Sequence, residues 1–232
     1  MGEPYYKDES VTLYLGDCRE IIPSLPVSDL LCTDPPYGVN WQSGWGHNHD
    51  KIIGDDGSLP FPMWLPAALG GLREWRHAYI FGFGISDIPS GSPIGGASEL
   101  IWDKGIIGPG DLSSPWGPMH ERILFGVHIK SKKQREMGRG NLAARLRKGS
   151  VIRIQRGQGA QTLAHPTEKP VMLMRILIES SSTFGETVLD PFAGSGSTLV
   201  AAVLEGRKAI GVEIDEKYAE HAANRLRAVP RA

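Results

Sequence analysis

Near the carboxyl end of this chain of 232 residues, strand, glycine-turn and helix patterns follow one another at short intervals. Residues 187–189 form a short β-branched run, 190–197 are rich in glycine and serine, and 198–204 have the composition of a helix. A second strand pattern at 208–212 ends in Glu213. Neighbouring strands that are joined through a helix run parallel, so the sequence predicts an α/β fold with a parallel core sheet.

The glycine turn and Glu213 also predict a ligand. In dinucleotide-binding folds an acid about 20 residues beyond the glycines binds ribose hydroxyls, and Glu213 has that spacing from Gly194. The turn lacks the third glycine of that pattern and the lysine of a P-loop, so a nucleoside without a phosphate chain fits better. S-adenosylmethionine offers a ribose to Glu213 and an ammonium to the Asp190 carboxylate. Its carboxylate suits the helix-start N–H groups around Ser195 and Gly196, whereas a glycine corner without a ligand is the alternative.

A second turn, Thr33-Asp34-Pro35-Pro36-Tyr37-Gly38, follows the apolar run 30–32, which is typical of a short buried strand. The two prolines fix φ at about −65° and remove two N–H donors, which leaves the Asp34 carboxylate and the Pro35 carbonyl as acceptors. Such a pair suits an amino-group donor, and Tyr37 offers an aromatic face beside it. We therefore predict that catalysis is centred on Asp34 at the end of a strand, with a tight turn of no chemical role as the alternative.

Basic residues are concentrated between Lys130 and Arg156, where Glu136 is the one acid, although the whole chain has a formal net charge of −1. This local excess predicts a surface that binds a polyanion, and a solvated charged face is the alternative. The candidate contacts are Lys130, Lys132, Lys133, Arg135, Arg139, Arg145, Arg147 and Lys148.

Other features exclude several classes of protein. Cys18 and Cys32 have neither zinc-site nor disulfide spacing, which fits a reducing cytoplasm. No apolar run approaches the length of a membrane span, so we expect no membrane partner. His47, His49 and Asp50 lie in a glycine-rich stretch that is more typical of an active-site loop than of a metal site, and we expect no metal.

Five stretches together resemble one protein family. They are Thr33 to Gly38, Ile101-Trp102-Asp103-Lys104, His120-Glu121, His165-Pro166-Thr167-Glu168-Lys169-Pro170, and Asp190-Pro191-Phe192-Ala193-Gly194-Ser195-Gly196. Their residues and order are similar to those of the amino-group DNA methyltransferases of the permuted β class. In that class the catalytic half comes first, a target-recognition segment lies in the middle, and the cofactor half comes last.

The resemblance implies an α/β class I, Rossmann-like methyltransferase fold with a circularly permuted, seven-stranded mixed sheet. Its strands would lie near residues 187, 208, 11, 28, 78, 99 and 121. Residues 1–232 would form a single domain with a catalytic half at 1–129, a short basic DNA-recognition segment at 130–160 and a cofactor half at 161–232. The short recognition segment suggests a homodimer, and double-stranded DNA and a cognate restriction endonuclease are the other expected partners. The expected location is the cytoplasm, for a bacterial, archaeal or phage-encoded protein.

The same resemblance assigns the site residues. The catalytic group would be Asp34, Pro35, Pro36 and Tyr37. Asp17 would contact the adenine of S-adenosylmethionine, and Thr167 with Lys169 would help to hold its methionine end. The complete cofactor set is Asp17, Cys18, Asp34, Thr167, Lys169, Asp190, Phe192, Gly194, Ser195, Gly196, Thr198, Glu213 and Ile214.

The implied reaction is methyl transfer to the exocyclic amino group of a flipped base in DNA. An aspartate at the first position of the catalytic motif favours N6 of adenine, and N4 of cytosine is the alternative. Methylation at carbon 5 of cytosine requires a cysteine after a proline, whereas Cys18 follows Asp17 and Cys32 follows Leu31. A non-catalytic DNA-binding subunit that keeps the fold is the alternative from another class of protein.

Overall fold

The computed structural model describes residues 2–38, 53–107, 115–136, 145–155 and 168–230. Within them the strands are β1 Tyr6–Lys7, β2 Val11–Leu15, β3 Ser28–Thr33, β4 Leu72–Phe81, β5 Ile94–Asp103, β6 His120–His128, β7 Val151–Arg153, β8 Thr187–Asp190 and β9 Lys208–Glu213. The helices are α1 Cys18–Ile21, α2 Phe61–Gly70, α3 Lys132–Glu136, α4 Val171–Ser181, α5 Ser197–Leu204 and α6 Glu216–Ala228, with 3-10 turns at Ile22–Ser24 and Ile85–Asp87.

All the strands join one mixed sheet in the order β1-β2-β9-β8-β3-β4-β6-β5-β7. Strands β2, β9, β8, β3 and β4 are mutually parallel, and β6 runs antiparallel to β4 and β5. Helix α2 leads from β3 to β4 on one side, and α5 leads from β8 to β9 on the other. The carboxyl ends of β3 and β8 therefore flank the point where the strand order reverses, which is where open α/β sheets bind ligands.

The sheet is covered on both faces. Alternate residues of β3 face opposite sides, so Leu30 and Cys32 pack in one apolar cluster while Leu31 packs in the other. Helices α4, α5 and α6 contribute to the first cluster, and α1 and α2 contribute to the second. This layering explains why β3 is buried along its whole length rather than on alternate residues.

Two expectations from the sequence are corrected. All seven predicted strands are present, but the described residues form nine, because β1 and β7 add short edge strands that have too few residues for a clear pattern. The apolar residues between Met63 and Leu72 recur at helical spacing and predict a helix over 61–75. In the structure, α2 instead ends at Gly70 and β4 begins at Leu72. Gly71 packs so closely on Ile22 that an added Cβ would lie 2.6 Å from its Cγ2, and the chain then pairs with β3 through a bulge that contains Trp75 at φ 65°.

None of the helices among the described residues has the length and apolar character needed to cross a bilayer.

Candidate active site

A cleft of about 720 Å³ opens at the carboxyl edge of the sheet, over the ends of β3 and β8. Both predicted turns contribute to it, although they are far apart in the sequence. Thr33 at the end of β3 donates a hydrogen bond from Oγ1 to Asp190 Oδ1 at the end of β8, at 2.8 Å. Most of the predicted site residues line the cleft: Asp17, Cys18, Asp34, Pro35, Pro36, Tyr37, Lys169, Asp190, Phe192, Gly194, Ser195, Thr198, Glu213 and Ile214. Thr167 lies outside the described residues.

The turn after β3 is held by a buried aspartate that sequence reasoning missed. Asp55 Oδ1 accepts hydrogen bonds from the backbone N–H groups of Tyr37 at 3.1 Å and Gly38 at 3.0 Å. Because Pro35 and Pro36 have no N–H groups, these are the first two donors that the turn presents after Asp34. Asp55 therefore fixes the turn that carries the catalytic candidate.

Tyr37 folds back over its own turn. Its hydroxyl donates to Asp34 Oδ1, and its ring makes an edge contact with Phe83, at 6.3 Å between ring centroids. The ring packs on Gly82, where an added Cβ would overlap it and where φ is 77°. Gly82 is a second residue that the sequence analysis missed, because the need for glycine there comes from a ring at the end of another strand.

Lys169 is brought to the Asp34 carboxylate rather than standing apart from it. Its ammonium lies 2.6 Å from Asp34 Oδ2 and 3.3 Å from Glu121 Oε2, and its side chain is 3% exposed. Glu121 Oε1 pairs with Lys104 Nζ at 2.9 Å. Lys104 and Glu121 belong to the stretches that carry the family resemblance, and that membership was the available signal, although the sequence analysis assigned them no role.

Burial raises the pKa of Asp34, and the neighbouring Lys169 ammonium opposes that rise. Glu121 behaves differently, because although burial raises its pKa, the two lysines outweigh burial and leave the pKa lowered. The site therefore holds two carboxyl groups with different proton affinities around one ammonium, which is typical of a catalytic centre.

Glu213 ties the glycine turn to the end of β9. One of its carboxylate oxygens accepts from Gly194 N–H at 2.7 Å, and the other accepts from the N–H groups of Ile214 and Asp215 at 2.9 Å each. Burial raises the pKa of this carboxyl, against the effect of these bonds. Glu213 thus shapes the turn in addition to facing the cleft.

Gly196 has a different place from the one predicted. Its N–H donates to the Ala193 carbonyl at 2.7 Å, so that donor is used within the turn. An added Cβ at Gly196, where φ is 81°, would lie 3.0 Å from the Cβ of Ala222 on α6. Its glycine character allows close packing of α6, while Gly194 and Ser195 line the cleft.

Asp190 is buried at 2% exposure, and burial raises its pKa to about 7. Hydrogen bonds from Thr33 and from the Phe192 N–H, the latter at 3.1 Å, work against that rise. Near neutral pH this carboxyl is close to its midpoint, so a cationic ligand group beside it would favour the ionised form.

The remaining residues of the cleft have local partners. Asp17 caps α1 by accepting from Arg19 N–H at 2.8 Å, and its hydrogen bonds with Arg19 lower its pKa. Burial raises the pKa of the Cys18 thiol to about 12 and that of Cys32 well above its ordinary value. Neither cysteine is therefore suited to act as a thiolate nucleophile.

Of the basic residues predicted to contact a polyanion, those that the structure describes do not line this cleft. Strand β6 runs away from the catalytic edge and ends at His128, so Lys130 emerges at the opposite, amino edge of the sheet. Leu124 lies level with Thr33 at the end of β3, because both pair with Ile80 of β4. Four residues of strand, roughly 13 Å, separate Leu124 from His128. Helix α3 follows at the same edge with Lys132, Lys133 and Arg135.

The second part of the basic cluster lies against the carboxyl end of α4. Arg145 donates to the Glu179 carbonyl at 3.0 Å, and Lys148 pairs with the Glu179 carboxylate at 2.8 Å. Arg147 is exposed, and Arg139 lies outside the described residues.

No group of three His, Cys, Asp or Glu side chains is arranged for metal binding in the part of the chain that the structure describes. His47, His49 and Asp50 lie outside that part.

Comparison with known proteins identifies the family. A family model described as DNA methylase, of the N6/N4 type, matches residues 99–224. The DNA adenine methyltransferase YhdJ of Escherichia coli strain K12 is 48% identical over 256 residues, covering 95% of this chain and 84% of that protein. The crystal structure of an M1.HpyAVI–SAM complex is similar with a TM-score of 0.69 and 23% identity, covering 93% of this chain and 98% of that chain. The cytosine-N4-specific PvuII DNA methyltransferase is similar in fold, with a TM-score of 0.63 and 16% identity over 97% of this chain and 89% of that chain. The chain therefore belongs to the N6/N4 DNA methylase family.

Proposed function

We propose that this protein transfers the methyl group of S-adenosylmethionine to N6 of a flipped adenine in double-stranded DNA. The observation that carries the proposal is the junction of two turns in one cleft, where the Asp34 turn meets the Asp190 turn through the Thr33–Asp190 hydrogen bond at 2.8 Å. One turn offers acceptors for an amino group, and the other offers a carboxylate and a glycine corner for a nucleoside with an ammonium group.

The residues of the cleft fit S-adenosylmethionine. Asp190 is a buried carboxyl that lacks a basic partner among the interactions described, so a ligand ammonium would compensate its burial. At Gly194 an added Cβ would meet nothing nearer than the Phe192 carbonyl oxygen at 4.0 Å, so the turn leaves room beside Glu213 for a ribose. When bound, S-adenosylmethionine supplies a methyl group on a positively charged sulfur.

Asp34 would draw the target amine toward tetrahedral geometry. The nitrogen lone pair of an exocyclic amine is delocalised into its ring, and hydrogen bonds from the amine to Asp34 and to the Pro35 carbonyl would localise it. As the new N–C bond forms and the S–C bond breaks with its electron pair passing to sulfur, the nitrogen becomes acidic. Asp34 would then accept one proton from it, and Tyr37 would stack on the flipped base.

Two observations support adenine over cytosine. The first motif position is Asp34, the residue that the family mostly uses for adenine, and the relative at 48% identity is named a DNA adenine methyltransferase. N4 of cytosine is the second candidate, because a protein of similar fold is cytosine-N4-specific. The same nitrogen chemistry would apply to either base.

The wider setting belongs to the same proposal. We place the protein in the permuted β class, because the Asp34 turn precedes the Asp190 turn in the chain. A homodimer and a cognate restriction endonuclease are the proposed protein partners, and the cytoplasm of a bacterium, an archaeon or a phage-infected cell is the proposed location.

The test is methyl transfer by the wild type and by Asp34→Asn, which keeps the shape of the side chain but removes its charge. Unmethylated genomic DNA is incubated with S-adenosylmethionine that carries a deuterated methyl group, and the nucleosides are identified by mass spectrometry. We expect labelled N6-methyladenine with the wild type and a loss of 100-fold or more with Asp34→Asn, while calorimetry shows retained cofactor affinity.

The control is Asp87→Asn, which changes a carboxylate outside the cleft and is expected to transfer methyl groups normally. Label in N4-methylcytosine instead would establish the second candidate. Absence of label from DNA with a folded wild-type protein would contradict the proposed reaction.

A further inference from the structure

The ammonium of Lys169 lies between two carboxylates, and this arrangement goes beyond cofactor binding. It approaches Asp34 Oδ2 at 2.6 Å and Glu121 Oε2 at 3.3 Å. The other oxygen of Glu121 is occupied by Lys104 at 2.9 Å. The cluster thus contains two cations and two anions, and its four side chains are between 3% and 20% exposed. Charges that are so shielded from water are coupled strongly to one another.

Lys169 binds the Asp34 carboxylate, which is the group that the proposed reaction needs. Asp34 already accepts from the Tyr37 hydroxyl on Oδ1 and from Lys169 on Oδ2. A carboxylate has about four acceptor positions, so a target amine can still bind, but it shares Oδ2 with an ammonium. When Asp34 accepts the amine proton, Lys169 loses its anionic partner there, and Glu121 is the second anion within its reach.

We propose that Glu121, itself held by Lys104, is a positioning residue that divides the Lys169 ammonium between two carboxylates and so leaves Asp34 open to the target amine and able to accept its proton. This inference rests on the proposed function for the identity of that amine. In this role Glu121 touches neither the base nor the cofactor, and it acts through Lys169.

Several charged or titratable groups surround Asp34. They are Lys169 before α4, Tyr37 and Asp55 at the turn, Glu121 on β6, Asp190 on β8 and Cys32 on β3. Burial raises the pKa of Asp34, Lys169 lowers it, and the negative charge of Glu121 raises it. Removal of the Glu121 charge should therefore lower the pKa of Asp34, because Lys169 is then left to Asp34 alone.

Removal of the Lys104 charge should have the opposite effect. Without Lys104, the Glu121 carboxylate is less neutralised and attracts Lys169 more strongly, so Asp34 loses part of its partner. The two substitutions thus predict pKa changes of opposite sign at a third residue. A merely structural role would not produce this pattern, since loss of packing would disturb Asp34 in the same way from either side.

The experiment measures the pKa of Asp34 directly by ¹³C NMR titration of side-chain carboxyl carbons, with Asp34→Asn used for assignment. Wild type, Glu121→Gln and Lys104→Met are compared. We expect the pKa of Asp34 to fall by roughly 0.5 to 1 unit in Glu121→Gln and to rise by a similar amount in Lys104→Met. Glu99→Gln, which breaks an ion pair with Arg122 outside the cluster, is the matched control and should leave the pKa unchanged.

Single-turnover methyl transfer to DNA as a function of pH provides the second measurement. The acidic limb of the rate profile should move with the pKa of Asp34, and Glu121→Gln should lower the plateau rate about tenfold without weakening DNA binding. Glu121→Asp, which keeps the charge, should recover most of that rate. If Glu121→Gln does not fold, Glu121→Asp replaces it, and the shorter side chain should still lower the plateau rate measurably.

Pairs of shifts in the same direction, or no shift in either variant, would overturn the inference. Failure of the proposed function gives a different result, because the wild type would then transfer no methyl group to DNA while the opposite NMR shifts would still support the Glu121–Lys169 arrangement.

Discussion

At the scale of single residues, the cleft contains a glycine that no larger residue can replace without a clash and a carboxyl group that is buried. Gly82 has no side chain where the Tyr37 ring lies, and its φ of 77° is in the left-handed region that favours glycine. Asp190 is a carboxyl whose burial raises its pKa to about 7. Each is a cost in conformation or charge that the fold tolerates at the site.

Gly82→Ala should reduce methyl transfer at least tenfold, because the new Cβ overlaps the Tyr37 ring and would displace its hydroxyl from Asp34. Gly91→Ala is the matched control, since Gly91 has a similar φ of 80° but open space around an added Cβ. Both variants should lose about 1 kcal/mol of stability from backbone strain in urea unfolding. Equal activity of the two variants would show that the Tyr37 position does not matter.

Asp190→Asn should stabilise the protein at pH 8 and have progressively less effect as the pH falls toward 4. The folded pKa of about 7 lies above the unfolded value, so the folded state binds the proton more tightly and the wild type loses stability as the pH rises through this window. The gain at pH 8 should be on the order of a few kcal/mol, measured as the difference in urea unfolding between variant and wild type. A difference that stays constant with pH would contradict the buried, titrating carboxyl.

At the scale of elements, the turn that carries Asp34 depends on a segment that precedes α2. Residues 53–60 bring Asp55, which is 4% exposed, against the N–H groups of Tyr37 and Gly38. Both donors find their acceptor in this segment rather than within the turn. The segment therefore stabilises the turn through Asp55, and it also lines the cleft through Leu59.

Asp55→Ala should cost about 2 kcal/mol of stability and lower methyl transfer well beyond that loss, because two buried N–H groups lose their acceptor and the turn loosens. Asp56→Ala is the matched control, since the neighbouring Asp56 is exposed and accepts from Ser58 N–H. Urea unfolding and single-turnover assays on both variants test this. If Asp55→Ala kept the wild-type rate, methyl transfer would not depend on the hydrogen bonds from the turn to Asp55.

At the scale of the whole molecule, basic residues of the described part are found at both edges of the sheet. The cleft opens at the carboxyl edge, while Lys130 and α3 lie at the amino edge. In the proposed reaction, a duplex that delivers a flipped base to Asp34 would lie over the carboxyl edge. There Arg153, whose side chain is 78% exposed, ends β7 and pairs at 2.7 Å with Asp103, the last residue of β5.

Replacement of Lys130, Lys132, Lys133 and Arg135 by Ala tests the predicted DNA contacts of the basic segment. Each lost phosphate contact should lower the slope of log affinity against log salt by about one unit. Because these four residues lie away from the cleft, we expect the quadruple variant to change the slope little when one duplex is bound. We expect Arg153→Ala to lower the slope by about one unit. Fluorescence anisotropy over a salt series measures both, with cofactor affinity as the control, and a large fall in the quadruple variant would confirm the contacts predicted from the sequence.

Local sequence patterns were sufficient to locate the central strands and the two turns. Strand, glycine turn and helix signals depend on residues within a few positions of one another, so the strand ends that carry Asp34, Asp190 and Glu213 could be found without the fold. Where neighbours in space were also needed, the sequence was ambiguous, as in the helix predicted over 61–75 that becomes part of β4.

The tertiary structure alone decided which side chains meet. Lys169 reaches Asp34 across 135 residues and Tyr37 packs on Gly82. The antiparallel β6 places Glu121 at the catalytic edge and carries the basic segment that follows it to the other edge. These outcomes follow from strand order and direction, which are set by the burial of both sheet faces over the whole chain. No short stretch contains that information, because the free energy that selects a strand order is shared among contacts between distant residues.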